Sequence, residues 1–136
     1  MLVEFALVSP LLFLLIFSII DFGWAFGQHL DVRHGAREGA RLVAVNHEAT
    51  ADDQTGAIVT AICERMDADA EVTVELTRPG GPSTGEEFVV TVARPAETLT
   101  GFVDFALDNI ELRSSVTGRI EQEATWTPTA GGVACQ

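Results

Sequence analysis

Apolar positions run almost unbroken through the start of the chain, then scatter into short alternating groups. Residues 5–20, FALVSPLLFLLIFSII, carry no charge, and across residues 2–26 only Glu4 and Asp21 interrupt the apolar run. Sixteen helical residues cover about 24 Å, short of a hydrocarbon core about 30 Å thick. Adding DFGWAF brings the stretch to full length, with Trp24 where an interfacial aromatic belongs. A cleaved secretory signal is the competing reading. No small-residue cleavage site follows the run, which passes into Asp21 and three more aromatics.

The same helix is expected to continue to residue 45, since no Pro occurs between 21 and 45. Arg33, Arg37 and Arg41 recur every four residues and share a face. So do Ala36, Ala40 and Ala44, beside Gly35 and Gly39; small residues at this spacing let a second backbone come close. Residues 2–45 therefore read as one rod about 65 Å long. Pro10 removes one backbone bond from it, and Gly23 and Gly27 are weak points. Such a rod needs lipid or other copies of itself to cover its apolar faces. The Gly/Ala face is expected to set the spacing between neighbouring rods. Gly39→Leu is accordingly expected to disturb rod packing more than head folding.

Beyond residue 45 the pattern shortens. Residues 46–53 are polar and read as a turn. Ile58, Val59, Ile62 and Met66 follow helical spacing, so 53–65 is expected to be a short amphipathic helix, with Asp52 or Asp53 at its cap. Val72, Val74 and Leu76 alternate with Glu71, Thr73 and Glu75 as a half-buried strand. RPGGPSTG is a turn-rich loop, and Phe88, Val90 and Val92 form the antiparallel partner strand. Between 95 and 108, Leu99, Phe102, Val103 and Leu107 suit a short helix that Gly101 weakens. Ile110, Leu112, Val116 and Ile120 mark a third strand. The Thr-, Pro- and Gly-rich tail from Gln122 is expected on the surface. The fold class is α+β. A long N-terminal hydrophobic helix (residues 1–45) precedes an acidic head (residues 46–136) of about three antiparallel strands with one or two short helices. A head of about 90 residues is marginal alone, so Leu42, Val43 and Val45 at the base of the rod are expected to complete its core.

Charge sharpens this division. Twenty acids face eight bases, all Arg, for a net charge of −12. Sixteen of those acids and five of the Arg lie after residue 45. So acidic a chain repels phosphates, and no direct nucleic-acid binding is expected. Cys63 and Cys135 are too few for a disulfide-rich scaffold or a Cys-only zinc site. Outside the cell they could close a loop of about 70 residues worth roughly 4 kcal/mol, or they could remain two thiols.

Catalytic chemistry finds no foothold in the pattern. His29 and His34 are five apart and do not share a face as an HExxH pair does. Ser114 and Ser115 have no nearby His, and the glycines of RPGGPSTGEE lack the Lys and helix start of a phosphate loop. DFG stands outside any kinase context. No enzyme activity, metal or cofactor is expected. Glu4 is the most informative charge. A carboxylate at the edge of an apolar run is expensive and calls for a partner. It can rest in the headgroup layer, or meet the α-amino group of a neighbouring copy as a subunit–subunit bond.

The opening LVEFALVSPLLFLLIFSIIDFGWAF, followed by HGAREGARLVAV, resembles the TadE-like proteins of tight-adherence (Tad/Flp) pili, within the type IV filament superfamily. ELRSSVTGRIE near residues 111–121 is similar to the family's final strand. The resemblance implies a pilin or pseudopilin made with a short basic leader that a prepilin peptidase removes. It also implies a helix that anchors the chain in the cytoplasmic membrane and then packs in the core of an extracellular, cell-surface pilus. Glu4 matches the carboxylate that such proteins need for assembly, although that Glu is usually the fifth mature residue. Flanking Arg alone would place the head in the cytoplasm; the resemblance places it outside. The expected role is a structural, adhesive filament subunit. Glu4, Phe5, Pro10 and Asp21 would serve assembly, and the Gly/Ala and Arg faces would serve packing. Its partners would be identical subunits, other pilins and the assembly machinery. The alternative is a non-polymerising bitopic protein, a minor pseudopilin or partner-binding component of a secretion machine.

Overall fold

A computed structural model describes residues 2–46, 53–66, 71–107 and 109–135. Its first element is a single 44-residue helix, α1 (Leu2–Val45), which passes through Pro10. At 1.5 Å per residue it is about 66 Å long. It ends at Asn46, whose φ of 55° is left-handed, a conformation that Asn tolerates better than other side chains with a Cβ. Asn46 Nδ2 donates to the carbonyl of Glu123, and the Ala44 carbonyl accepts from the backbone amides of Glu121 and Gln122. The end of the rod is therefore sewn to a distant part of the chain.

Helix α2 (Thr55–Cys63) and strands β1 (Thr73–Thr77), β2 (Glu87–Pro95), β3 (Glu111–Arg119) and β4 (Val133–Ala134) follow, with one turn of helix, α3 (Asp104–Leu107), between β2 and β3. The sheet order is β3-β2-β1-β4, and every pairing is antiparallel. The registers Val74↔Val92 and Val90↔Val116 put the expected apolar positions on one face. Two helices cover that face. Val32, Ala36, Ala40 and Val43 of α1 join Ile58, Val59 and Ile62 of α2 over Val74, Leu76, Phe88, Val90 and Val92.

The small residues of α1 make this closeness possible. A Cβ on Gly39 would lie 2.7 Å from Ile62 Cδ1 and 3.1 Å from Val90 Cγ1. One on Gly35 would lie 2.7 Å from Met66 Sδ. Gly35, Ala36, Gly39 and Ala40 are buried under the chain's own head. The sequence expectation had assigned them to neighbouring rods. Spacing alone announces a close contact and leaves its partner open. Val43 is buried and Leu42 packs on the core as expected, but Val45 is exposed, because it lies about 200° around the helix from Val43.

The C-terminal segment departs furthest from expectation. Most of it is exposed, as expected, but it is anchored in the core at two points. Trp126 is fully buried, Ala124 joins the same core, and Arg78 stacks 5.1 Å from the Trp126 ring. The segment adds β4 beside β1, and the Leu76 amide donates to Thr129 Oγ1. Cys135 is bonded to Cys63, which ties β4 to the end of α2 across 72 residues. The Thr and Pro content disguised an edge strand and a core aromatic. Elsewhere, Ile110 precedes β3 and is exposed, as are Leu99 and Phe102. Helix α2 is shorter than expected at both ends. Gln54 occupies its cap position. Asp53, one residue earlier, accepts from Thr55 Oγ1 (2.6 Å) and the Thr55 amide (2.9 Å). His47 and Asp52 lie outside the described residues.

Gly39→Leu is expected to destabilise the head by about 1–3 kcal/mol through overpacking. This reverses the order of effects inferred from spacing, and denaturant unfolding of the detergent-solubilised chain would measure it. A second expectation concerns acid. The Thr55 hydroxyl, then the Thr55 amide, hold the Asp53 carboxyl below its ordinary range, against a smaller opposing effect of burial; Thr127 assists. A depressed carboxyl stabilises the fold above the titration of the unfolded chain, and that contribution is lost as pH falls through the folded value. Asp53→Ala should therefore lower stability at neutral pH, and its deficit against the parent should shrink as pH falls below the ordinary range of an Asp carboxyl.

Candidate functional site

The rod divides at Asp21. From residue 2 to residue 20 its large apolar side chains face outward, and none of its most apolar stretch is buried against the rest of the chain. The helix is long and apolar enough to cross a membrane. Glu4 and Phe5 are exposed near its start, and Pro10 lies within the same bare stretch. From residue 21 onward one stripe turns inward: Asp21, Ala25, Gln28, Val32, Gly35 and Gly39. These alternate by four and three residues, the spacing of a helix face held against a single partner.

The upper part of the stripe is apolar and the lower part is polar. Asp21 has no solvent-accessible surface. Its Oδ1 accepts from the amides of Thr100 (2.8 Å) and Leu99 (3.2 Å), and its Oδ2 accepts from Thr100 Oγ1 (2.6 Å). Two turns along, Gln28 pairs with the backbone of Glu97 in both directions: Nε2 donates to the carbonyl and Oε1 accepts from the amide, each at 3.0 Å. Arg94 on β2 is 3% exposed. Its guanidinium lies 4.0 Å from Asp31 of the rod and 3.5 Å from Glu97. A buried cation is tolerated only when anions and acceptors replace its water. Asp31 and Glu97 supply that charge from either side of the seam. Asp21, Gln28 and Asp31 thus clamp residues 94–100 to the rod over about 15 Å of its length.

Asp21, expected among the assembly residues, is therefore committed within the chain. Gln28 and Arg94 were missed. Gln28 breaks an apolar periodicity without announcing a backbone partner. Arg94 continues the inward alternation Phe88, Val90, Val92, and that register was the one available sign of its burial. Arg33, Arg37 and Arg41 are exposed along the rod. Glu38 meets Arg41 at 3.8 Å and Arg65 at 3.0 Å; such surface pairs are worth at most about 1 kcal/mol each. Ala44 is half-buried against the core. Among the described residues no three His, Cys, Asp or Glu side chains gather as a metal site.

The exposed half of the rod and most of its clamped half are where a likeness to known proteins falls. Residues 1–41 match the family model described as TadE-like protein. No curated protein and no solved structure matches the chain. The TadE-like match covers the membrane-length stretch and most of the stripe on which the head sits. It relates the chain to the Tad pilus and its machinery, and it agrees with membrane anchoring through α1.

Asp21→Ala should release the clamp rather than unfold the sheet. The Leu99 and Thr100 amides are expected to exchange hydrogen about tenfold faster in detergent, since hydrogen bonds to a charged group are lost. Amides of β1 and β2 should be little affected.

Proposed function

We propose that this chain is a structural, non-catalytic subunit of a Tad-type pilus, polymerising through α1. The observation that carries the reading is the division of one helix. The TadE-like match covers residues 1–41, and the helix within it is bare up to residue 20 and roofed by the head from residue 21 onward. A head that needs only the second half for its core leaves the first as a stalk. Lipid covers such a stalk before assembly, and equivalent stalks cover it in a bundle afterwards. Van der Waals packing then replaces lipid contact at little cost in apolar exposure.

In this reading the chain enters the cytoplasmic membrane, a prepilin peptidase removes a leader, and the machinery moves the subunit into a cell-surface filament. Glu4 sits at the tip of the stalk, where its carboxylate would meet the α-amino group of the next copy. A charge carried into a greasy bundle needs a counter-charge or hydrogen-bond donors around it there. The head contributes an acidic outer surface. Its own use of Gly35 and Gly39 limits stalk-to-stalk contact mainly to residues before 21.

Electron microscopy and mass spectrometry of sheared surface material should find filaments containing this chain. Glu4→Ala should reduce filament yield to background while leaving the protein at its normal level in the membrane. Normal filaments from that variant would contradict the carboxylate's role. Absence of the parent chain from any filament would favour the non-polymerising alternative.

A further inference from the structure

The segment between β2 and β3 crosses the rod where its uncharged stretch ends. Thr100 holds Asp21 there, and Val103 and Leu107 pack with Ala25. Below this point the Phe102 ring lies 5.8 Å from the ring of Phe17. Phe17 is four residues before Asp21, about 6 Å further toward the middle of the apolar stretch. The segment nevertheless turns its large apolar side chains away from the head. Leu99 is 59% exposed, Phe102 45% and Phe105 87%. A head standing wholly in water would have no reason to gather three such residues at its edge.

We infer that Leu99, Phe102 and Phe105 form a wedge that enters the interfacial layer of the bilayer beside α1. The inference rests on α1 crossing a membrane and not on polymerisation. A bilayer that covers residues 5–20 covers Phe17. Whatever covers Phe17 reaches Phe102, because the contact between the rings and the Asp21–Thr100 bonds fix their relative height. Phe102 is continuous with the rod's own apolar surface through Phe17 and Phe13, whose rings stack 6.3 Å apart. Aromatic side chains favour this layer.

The charges of the segment agree with a zwitterionic surface. Asp104 accepts a hydrogen bond from the Thr98 hydroxyl, and Glu97 is held by Arg94. Asp21, the carboxylate that borders the apolar stretch on the head side, is enclosed by the segment's amides and hydroxyl. The wedge thus shields that charge from lipid while offering lipid an apolar face. With α1, it gives the head a second point of attachment and so sets the head's tilt on the membrane.

The test uses the full chain in phosphatidylcholine nanodiscs, one copy per disc. Cys63 and Cys135 are bonded to each other, so Phe105→Cys provides a single thiol for an environment-sensitive fluorophore. At 105 the emission should fall several-fold when the lipid is brominated and should resist aqueous iodide. Leu12→Cys on the rod should behave alike, and the exposed Thr117→Cys on β3 should show the opposite. Iodide quenching at 105 without lipid quenching, while 12 reports lipid, would overturn the wedge and leave the span standing. Failure at both 12 and 105 would overturn both. Protection of 105 that develops only in discs holding several copies would assign the patch to a second chain and overturn the lipid assignment.

Discussion

The close seating of the sheet and α2 on the small-residue stripe of α1 is the constraint on which the rest of the structure depends. Without side chains at 35 and 39, the rod comes near enough for Ile62, Met66 and Val90 to fill the space a Cβ would occupy. A core of this thickness cannot be made from α2 and four short strands alone. The second half of α1 is therefore part of the head as well as part of the rod. One helix, continuous through both roles, couples the position of the head rigidly to whatever holds the first half.

That coupling explains the placement of polar groups along the seam. Nearest the middle of the head the stripe is Gly, Ala and Val, and dispersion and burial hold it. Nearer the apolar stretch the seam is made of Asp21, Gln28 and Asp31, each set against loop backbone or a buried guanidinium. Hydrogen bonds to an anion gain strength where water is scarce. A polar clamp at the border between two solvents can be strong without an apolar patch that lipid would compete for.

Much of this was legible in the residues themselves. The uncharged run, the rod length, the inward alternations of β1 and β2 and their antiparallel pairing all follow from period and turn chemistry. What the residues left open shares one physical cause. Spacing reveals that a face is apolar, small or charged; it does not name the occupant opposite. The stripe at 35–40 was seen as a contact and assigned to another copy. Asp21 was expected to serve assembly, and its carboxylate is held by the chain's own Leu99 and Thr100. The C-terminal segment failed differently, because Thr, Pro and Gly diluted a short edge strand. Only the alternation of Ala124 and Trp126 marked it as core. Arg94 and Gln28 carry no periodic signal of their partners, since Gln28 meets main chain far along the sequence and Arg94 lies between the nearby Glu97 and the distant Asp31.

The bond from Cys63 to Cys135 and the burial of Trp126 bear on the order of events during biosynthesis. The rod leaves the ribosome first, yet the sheet lacks its outer strand and largest core side chain until residue 135 has been made. At about 5–20 residues per second that interval is about 5–20 s. Throughout it the stalk is already committed to the bilayer while its cargo stays open. The greasy half must therefore find shelter well before the head can shelter anything, and the last closure is a disulfide, which forms only where thiols are oxidised.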